Sequence, residues 1–422
     1  MATWVISRQN RKRRVMPIIS SRGENMTQSP IRSLIPFARE AKKEGVQVYH
    51  LNIGQPDIET PESALSSLKK YDNKIVGYGS SEGTDSLRET VKNYYCDNVS
   101  KINVEDIYVT TGASEAIMFT LFSCFDTGAE ILIPEPFYAN YIGFSHVSGV
   151  TLVPVKGSIE DGFGLPDTSD IESKVTQHTK AIFLCNPSNP TGNLYTKQEL
   201  NSIAELVKKH DLFLIVDEVY REFCYDSEFY SVLNIHGLED HVLVIDSISK
   251  VFSSCGSRIG FVVTRNAELR QSILKYAQLR LCPPMIGQHM AEACFTDRSS
   301  YLDEVRAEYN KRRLYLYERL SKMKGVKCYM PKAAFYIMTE LPVDDSDHFC
   351  KWLLSDYRLD NSTIMMAPGQ GFYLTPSIGK KQVRIAFILG LEPLGKTMDI
   401  LEHALVAYNK VYDSSALANA NN

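Results

Sequence analysis

Seven short runs of apolar residues, rich in β-branched and aromatic side chains, recur between residues 107 and 264. Most of them are separated by stretches long enough for a helix. Strands that are apolar on both faces and joined by helical crossovers are typical of a parallel sheet covered on both sides. The sequence therefore predicts an α/β fold, a three-layer sandwich around a mostly parallel seven-stranded sheet. The predicted strands are residues 107–110, 130–134, 151–155, 181–185, 212–216, 242–245 and 260–264.

The pattern changes after residue 264, which indicates a second unit in this chain of 422 residues. A helical region over 267–323, interrupted at Pro283-Pro284, leads into a smaller unit with predicted strands at 326–330, 334–338 and 383–388. The basic run Arg11-Lys12-Arg13-Arg14 precedes two alternative starts, Met16 and Met26. We predict a disordered basic leader (1–28), a segment packing on the small domain (29–60), a large cofactor-binding domain (61–300), a small α+β domain (301–412) and a disordered tail (413–422).

The overall composition narrows the classes of partner. The formal net charge of -4 gives no electrostatic reason to expect a nucleic acid. No stretch approaches the ~20 apolar residues that span a bilayer, so we expect no membrane insertion. The nine cysteines include no C-x-x-C pair, so we expect neither a metal site nor a disulfide framework. Cys185, Cys224 and Cys255 are interpreted as small core residues, and a reducing cytoplasm is favoured.

An aspartate and a lysine each follow one of the predicted strands. Asp217 comes directly after the strand 212–216, and Lys250 closes the segment Ser247-Ile248-Ser249-Lys250 after the strand 242–245. Because binding sites gather at the carboxyl ends of parallel strands, we expect both side chains at one edge of the sheet. Pyridoxal phosphate needs such a pair, since a lysine amine bonds its aldehyde and a carboxylate keeps its pyridine nitrogen protonated. The pair therefore predicts a pyridoxal phosphate site.

Other segments at strand ends carry chemistry and also have ordinary structural explanations. Gly112-Ala113-Ser114 opens a predicted helix, where backbone N–H groups and the hydroxyl bind a phosphate, although its serine is equally well explained as an N-cap. The turn at 186–192 contains two Asn-Pro steps, can include a cis peptide and brings an asparagine towards a ligand. Singly, Lys250 is explained as a solvated lysine, Asp217 as an N-cap and Arg258 as a surface charge. Their joint occurrence favours a site.

Together these motifs resemble those of class I/II aminotransferases of the aspartate aminotransferase superfamily, the fold-type-I group of pyridoxal phosphate enzymes. The resemblance runs from Ser29-Pro30-Ile31-Arg32 to Val383-Arg384-Ile385, nearly the whole chain. It implies a fold-type-I architecture, pyridoxal 5'-phosphate as cofactor, and ping-pong transfer of an amino group from an amino acid to a 2-oxo acid. The most specific motifs are Asn189-Pro190-Thr191-Gly192, Asp217-Glu218-x-Tyr220, Ser247-x-Ser249-Lys250 and Ser257-Arg258-x-Gly260.

The resemblance also implies a role for each matching residue around the cofactor. Lys250 would carry the cofactor and act as the catalytic base, while Asp217 would pair with the pyridinium. Tyr220 and Asn189 would hydrogen-bond the phenolic oxygen, and Tyr138 would stack on the ring. The phosphate would be bound by Gly112, Ala113, Ser114, Ser247, Arg258 and, from the neighbouring subunit, Tyr78.

For the substrate, the resemblance implies that Arg384 grips the α-carboxylate, with Gly54 and Asn189 beside it. Since the family's site lies between two subunits, a homodimer is implied. Aspartate with 2-oxoglutarate is the best guess for the substrate pair. Ser114 stands where dicarboxylate-specific relatives often carry a lysine, so Arg280 becomes a hypothesis for the ligand of the distal carboxylate. An exposed arginine at the end of a helix is the alternative interpretation of Arg280.

Three alternative functions stay open at this point. Alanine, aromatic amino acids or methionine could replace aspartate as the donor. A fold-type-I lyase, such as a cysteine-S-conjugate β-lyase, would keep the same cofactor residues, because a fold does not fix a function. A regulator that retains the fold without catalysis is disfavoured, since the sequence shows no helix-turn-helix segment and no basic domain.

Overall fold

The computed structural model of the chain describes residues 17–24, 26, 32–97, 99, 101–296 and 298–412. Most of the predicted leader, including Met16, and the whole predicted tail (413–422) lie outside the described residues. In chain order the strands are β1 (Gln47–His50), β2 (Ile107–Thr110), β3 (Glu130–Glu135), β4 (Thr151–Lys156), β5 (Thr179–Cys185), β6 (Phe213–Asp217), β7 (Val242–Ser247), β8 (Gly260–Val263), β9 (Lys327–Cys328), β10 (Tyr336–Glu340), β11 (Ser362–Met365), β12 (Ala367–Pro368) and β13 (Gln382–Ala386).

Fourteen α-helices connect and cover these strands in the described part of the chain. Helix α8 shows how local sequence sets their limits, because Thr196 and Glu199 form a capping box at its start. The helices are α1 (Ser21–Glu24), α2 (Ile35–Lys43), α3 (Glu62–Lys69), α4 (Asp85–Cys96), α5 (Gly112–Cys124), α6 (Asn140–Ser148), α7 (Thr168–Glu172), α8 (Lys197–His210), α9 (Ile248–Val251), α10 (Ala267–Arg280), α11 (Met285–Cys294), α12 (Arg298–Lys322), α13 (Ser346–Ser355) and α14 (Leu391–Tyr412).

Strands β2 to β8 form one seven-stranded sheet in the order β2-β8-β7-β6-β5-β3-β4. All its pairs are parallel except those of β8, which runs antiparallel to β2 and β7. The prediction of an α/β fold with a mostly parallel seven-stranded sheet is confirmed, and each predicted strand overlaps an observed one. The edge strand β4 is less buried than predicted, since most of its side chains are partly or fully exposed.

Alternating side chains of the central strands enter two separate cores, one on each face of the sheet. Leu214 and Val216 join the core that includes helices α4 and α8. Ile215, between them, joins the core of α5 and α10, together with Ile245. Because helices cover both faces of the sheet, strands such as β6 are apolar throughout. A charged residue that follows such a strand therefore lies at the edge of the sheet, where the strand ends.

The smaller unit contains a four-stranded sheet in the order β12-β13-β10-β9, in which β10 and β13 pair antiparallel. Its strand β9 has two residues, so the strand predicted over 326–330 is shorter than expected. Near the N-terminus, β1 pairs in parallel with β11, and Ala38 and Val48 are buried in one core with Phe349 and Leu353. These contacts support the proposal that the N-terminal segment, predicted as 29–60 and described from residue 32 onward, packs on the small domain.

The carboxyl ends of β6 and β7 face this smaller unit. Lys250, just after β7, donates a hydrogen bond to the backbone oxygen of Gly54, and Arg384 on β13 donates one to Asn189, just after β5. The edge of the large sheet therefore meets the N-terminal segment and the small sheet around a shared cavity. No helix among the described residues is long and apolar enough to cross a lipid bilayer.

Candidate active site

A cavity of about 470 Å³ lies where the sheet edge, the N-terminal segment and the small sheet meet. Gly112 lies behind the cavity wall, and Tyr78 is on the surface, 83% exposed. The structure thus gathers nearly all the predicted site residues around one space. The predicted residues that line it are Gly54, Ala113, Ser114, Tyr138, Asn189, Asp217, Tyr220, Ser247, Lys250, Arg258 and Arg384.

Lys250 lies in the four-residue helix α9, which begins directly after β7. Its Nζ lies 2.7 Å from the oxygen of Gly54 and 3.8 Å from Sγ of Cys255. Burial lowers the pKa of the Lys250 ammonium, and the positive charge of Arg384 acts in the same direction. A lowered pKa raises the share of neutral amine, which is the form that attacks an aldehyde or accepts a proton.

Asp217 is the last residue of β6 and is 4% exposed. Its Oδ2 accepts a hydrogen bond from the hydroxyl of Tyr141 at 2.7 Å, and its Oδ1 accepts one from the N–H of Val219 at 3.2 Å. Burial raises the pKa of the Asp217 carboxyl to about 6. Among the described residues no basic side chain lies within ion-pair distance of this carboxylate. A buried carboxylate without a cation beside it is costly, so the position suits a positively charged group inside the cavity.

Arg384 projects from β13 and is 1% exposed. Its Nη1 donates to Oδ1 of Asn189 at 2.9 Å, and its Nη2 donates to the backbone oxygen of Asn52. The guanidinium lies 4.4 Å from the ring centroid of Tyr336, and its Nε has no hydrogen-bond partner. None of the described carboxylates pairs with it. A buried, planar cation with a free donor is suited to a carboxylate from a ligand.

The start of helix α5 and the side chain of Arg258 form a site for an anion. Arg258 has a φ of 57°, and its guanidinium donates to the oxygens of Cys255 (3.0 Å) and Thr111 (3.4 Å). Gly112 allows this approach, since a Cβ at that position would lie 2.3 Å from Nη2 of Arg258. Free N–H groups at a helix start, an arginine and the hydroxyls of Ser114 and Ser247 are the usual ligands of a phosphate.

Aromatic side chains close the space between these charged groups. The hydroxyls of Tyr220 and Tyr336 lie 2.9 Å apart, and both side chains are buried. The hydroxyl of Tyr138 accepts a hydrogen bond from Nδ2 of Asn140 at 2.7 Å, which orients its ring at the cavity wall. Position 54, which faces Tyr336, has to be glycine, because a Cβ there would lie 1.7 Å from the hydroxyl oxygen of Tyr336.

The cavity also contains residues that the sequence analysis did not assign. Tyr141 donates a hydrogen bond to Asp217, and the hydroxyls of Tyr336 and Tyr220 bond each other, but no sequence pattern predicts either contact. Cys255 is predicted to be a core residue, and that prediction is wrong, because Cys255 is only half-buried and lines the cavity, whereas Cys185 lines the cavity from within the core. Arg32 closes the motif Ser29-Pro30-Ile31-Arg32 and also lines the cavity, although the sequence analysis gave it no role.

Arg280 is not where the hypothesis of a distal-carboxylate ligand requires it. Its Nε lies 3.5 Å from Oε1 of Glu115, and its Nη2 donates to the oxygens of Ser81 and Val109. The guanidinium also lies 5.8 Å from the ring centroid of Phe119. Arg280 therefore pairs with Glu115 of helix α5 and does not line the cavity.

Pyridoxal phosphate fits the residues that are present. Asp217 is a buried carboxylate that lacks a cation, and a protonated pyridine nitrogen would supply one. The amine of Lys250 has a lowered pKa and lines the same cavity, so it is suited to bond the cofactor aldehyde. Arg258, with the start of α5, suits the phosphate.

Comparison with known proteins gives a consistent answer. The profile of the family described as aminotransferase class I and II matches residues 46–391. An aspartate aminotransferase of Pyrococcus abyssi is 30% identical over 92% of this chain and 98% of its own length. A solved alanine aminotransferase from Pyrococcus furiosus has a TM-score of 0.84 and 30% identity, covering 92% of this chain and 100% of its own. A solved aspartate aminotransferase from Thermus thermophilus with maleate has a TM-score of 0.84 and 26% identity at the same coverage.

Proposed function

The chain belongs to the class I and II aminotransferases, and from that premise we propose that it transfers the α-amino group of aspartate to 2-oxoglutarate in the cavity described above. The family makes it a pyridoxal-phosphate-dependent enzyme that acts on an amino acid and a 2-oxo acid. The observation that carries the assignment of the site is one shared cavity with two buried, uncompensated charges. Asp217 is suited to a cation from a ligand, and Arg384 is suited to an anion. Lys250 lines the same cavity.

Each of these residues takes a definite part in the proposed reaction. Arg384 binds the substrate α-carboxylate and thereby fixes the orientation of Cα. Lys250 would hold the cofactor through its Nζ, and as a neutral amine the same Nζ would take the proton from the substrate Cα. The bound cofactor supplies an electron-poor ring that accepts the electron pair left on Cα. Asp217 keeps the proton on the pyridine nitrogen that makes the ring electron-poor.

The remaining residues position the cofactor. Tyr220 and Asn189 would hydrogen-bond the phenolic oxygen, and Tyr336 holds the Tyr220 hydroxyl in place. Tyr138 would stack on the ring and exclude water. Arg258 and Ser247, together with the helix start Gly112-Ala113-Ser114, would hold the phosphate.

The charges of the cavity lining favour a dicarboxylic substrate over an amino acid with a neutral side chain. The described residues that line the cavity include four basic side chains, Arg32, Lys250, Arg258 and Arg384, and a single carboxylate, Asp217. A lining of this kind favours a cofactor phosphate and more than one carboxylate. The name of the Pyrococcus abyssi relative and the maleate of the Thermus thermophilus structure point the same way, whereas the Pyrococcus furiosus structure is of an alanine aminotransferase.

We further propose that the enzyme works as a homodimer in the cytoplasm. Large apolar side chains that are exposed in the single chain support association, and all nine cysteines are free, as expected in a reducing compartment. The exposed side chains in question come from one loop and two helix ends: Ile75, Val76, Tyr78, Leu279, Leu281 and Ile286.

A panel of half-reactions tests the proposed activity. Purified enzyme is mixed with a single amino acid, and the change of cofactor absorbance is followed for aspartate, alanine, methionine and phenylalanine. We expect the highest kcat/KM for aspartate, with 2-oxoglutarate as the best acceptor. A transaminase stops after one half-turnover without acceptor, so steady release of ammonia would identify a lyase and contradict the proposal. A preference for alanine would replace aspartate as the donor.

A further inference from the structure

Arg32 is the basic residue of the cavity wall that the proposed reaction leaves without a ligand. Lys250 attaches the cofactor, Arg258 lies at the phosphate site, and Arg384 takes the α-carboxylate. Arg32 lines the same cavity but is exposed, which places it at the opening. It has no hydrogen-bond or ion-pair partner among the residues that the structure describes, so its guanidinium is available to an incoming anion.

We infer that Arg32 binds the distal carboxylate of the substrate and so sets the preference for dicarboxylic acids; this inference rests on the proposed function and names the specificity residue of the same site. Arginine suits this task because its planar fork matches a carboxylate and stays charged at any physiological pH. Arg384 and Arg32 line one cavity, so one ligand with two carboxylates can reach both.

Each of the other charged groups of the cavity wall has a partner in the proposed complex. The cofactor phosphate accounts for Arg258 and the helix start, and the α-carboxylate accounts for Arg384. Asp217 is matched by the protonated ring nitrogen. Arg32 then remains as one positive charge, and the other carboxylates of the described residues do not reach the cavity wall.

The charges of Arg32 and Arg384 both act on Tyr138, another residue of the cavity wall. Burial raises the pKa of the Tyr138 hydroxyl, while the charges of Arg384 and Arg32 both act against that rise. Both arginines line the same cavity as Tyr138. Arg280, the residue that the sequence suggested for this role, is held in its pair with Glu115.

The experiment compares Arg32→Gln with Arg32→Lys and with Arg39→Gln in the holoenzyme. Arg39 is an exposed arginine on the adjacent helix α2 and does not line the cavity, so it is a matched control for the loss of one charge. We expect Arg32→Gln to lower kcat/KM for aspartate by roughly tenfold to 100-fold, because the charge-assisted hydrogen bonds from the guanidinium to the distal carboxylate are lost. The kcat/KM of Arg32→Gln for alanine as substrate should change by less than about threefold. Arg32→Lys should recover part of the lost kcat/KM for aspartate.

A binding measurement separates this inference from the proposed substrate. Calorimetric titration of the holoenzyme with maleate, a dicarboxylate, is compared with titration by propionate, a monocarboxylate. Arg32→Gln should raise the Kd for maleate by roughly tenfold or more and leave the Kd for propionate unchanged. Equal losses for both ligands, or none for maleate, would overturn the role of Arg32 even if aspartate is the donor. A wild-type enzyme that prefers alanine would contradict the proposed substrate, and the maleate titration would still decide what Arg32 does.

Discussion

Nζ of Lys250 donates a hydrogen bond to the backbone oxygen of Gly54 over 2.7 Å, and the two residues are 196 positions apart in the chain. The bond joins the carboxyl edge of the large sheet to the N-terminal segment. Since Gly54 faces Tyr336 at a distance that leaves no room for a side chain, three parts of the chain meet at this lysine. Lys250 is therefore oriented before any ligand arrives, and its amine lies at the centre of the site.

Lys250→Ala should abolish covalent attachment of the cofactor and leave the fold intact. The side chain is at a cavity wall, so its removal costs little packing, whereas a positioned base contributes about 10²–10⁴ in rate and the attachment is lost as well. Borohydride reduction followed by peptide mapping should label Lys250 in the wild type and nothing in the variant. Lys275→Ala, an exposed lysine of α10, is the control and should behave as wild type. A label on any other lysine would refute the assignment.

Asp217→Asn should keep the shape of the site and remove the charge that holds a proton on the pyridine nitrogen. Breaking a buried pair costs about 3–5 kcal/mol, which corresponds to a fall in kcat of roughly 10²–10⁴. Tyr141→Phe removes one hydrogen bond to the same carboxylate and should cost about tenfold. Stopped-flow measurement of the half-reaction separates the chemical step from binding. Near-normal turnover of the Asn variant with bound cofactor would exclude this role for Asp217.

Glu218, next to Asp217, should make the protein less stable as the pH rises. The residue is buried, bonded to Ser231 at 2.9 Å, and burial raises its pKa from 4.5 to about 7. A carboxyl whose pKa is higher in the folded state stabilises the fold below pH 4.5 and loses that contribution as the pH passes 7. Over the window from pH 4.5 to 8 the loss is of the order of 3 kcal/mol, at about 1.4 kcal/mol per pH unit.

Thermal midpoints of cofactor-free Glu218→Gln measure this effect directly. Relative to the wild type, the variant should gain stability between pH 5.5 and pH 8.5, because glutamine does not ionise. Asp217 titrates in both proteins, so its contribution is largely common to the two curves. Glu205→Gln, on the exposed face of α8, should show no such trend. Parallel curves for wild type and Glu218→Gln would mean that Glu218 does not carry the pH dependence.

The sequence predicted the strands well because burial on both faces leaves a continuous apolar run whatever the neighbouring strands are. The same property hides strand direction, since a run that is apolar throughout carries no information about it. Strand β8 runs antiparallel to β2 and β7 in a sheet whose other pairs are parallel. The connection from β7 to β8 holds only the four-residue helix α9 and a short 3-10 helix (Cys255–Ser257), so it lies at the lower limit of length for a parallel crossover.

Residues at strand ends were predictable, and their partners were not. Asp217 and Lys250 follow from one rule about parallel sheets, but Tyr141 reaches Asp217 from 76 positions away. Arg280 failed as a substrate ligand for the same reason, because its pair with Glu115 depends on how α10 packs against α5. Such pairings depend on tertiary packing, which the spacing of residues along the chain does not encode.

The last prediction concerns Tyr78, which the family resemblance assigns to the cofactor phosphate of the neighbouring subunit. In the single chain Tyr78 is 83% exposed and does not line the cavity, and Leu279 nearby is 82% exposed. If Tyr78 acts across a dimer, Tyr78→Ala lowers cofactor affinity in the partner's site. Mixing Tyr78→Ala with Lys250→Ala then creates hybrid dimers in which one site has both Lys250 and an intact Tyr78.

Random reassociation of the two variants should therefore restore activity to about a quarter of the wild-type value, since half of the dimers are hybrids with one complete site. Asp217→Asn mixed with Lys250→Ala is the control, because Asp217 and Lys250 line the same cavity of one chain and no hybrid contains an intact site. The mixtures are assayed after dissociation in mild denaturant and refolding with cofactor. Rescue in the first mixture alone shows a shared site, whereas no rescue in either would place Tyr78 outside the partner's site.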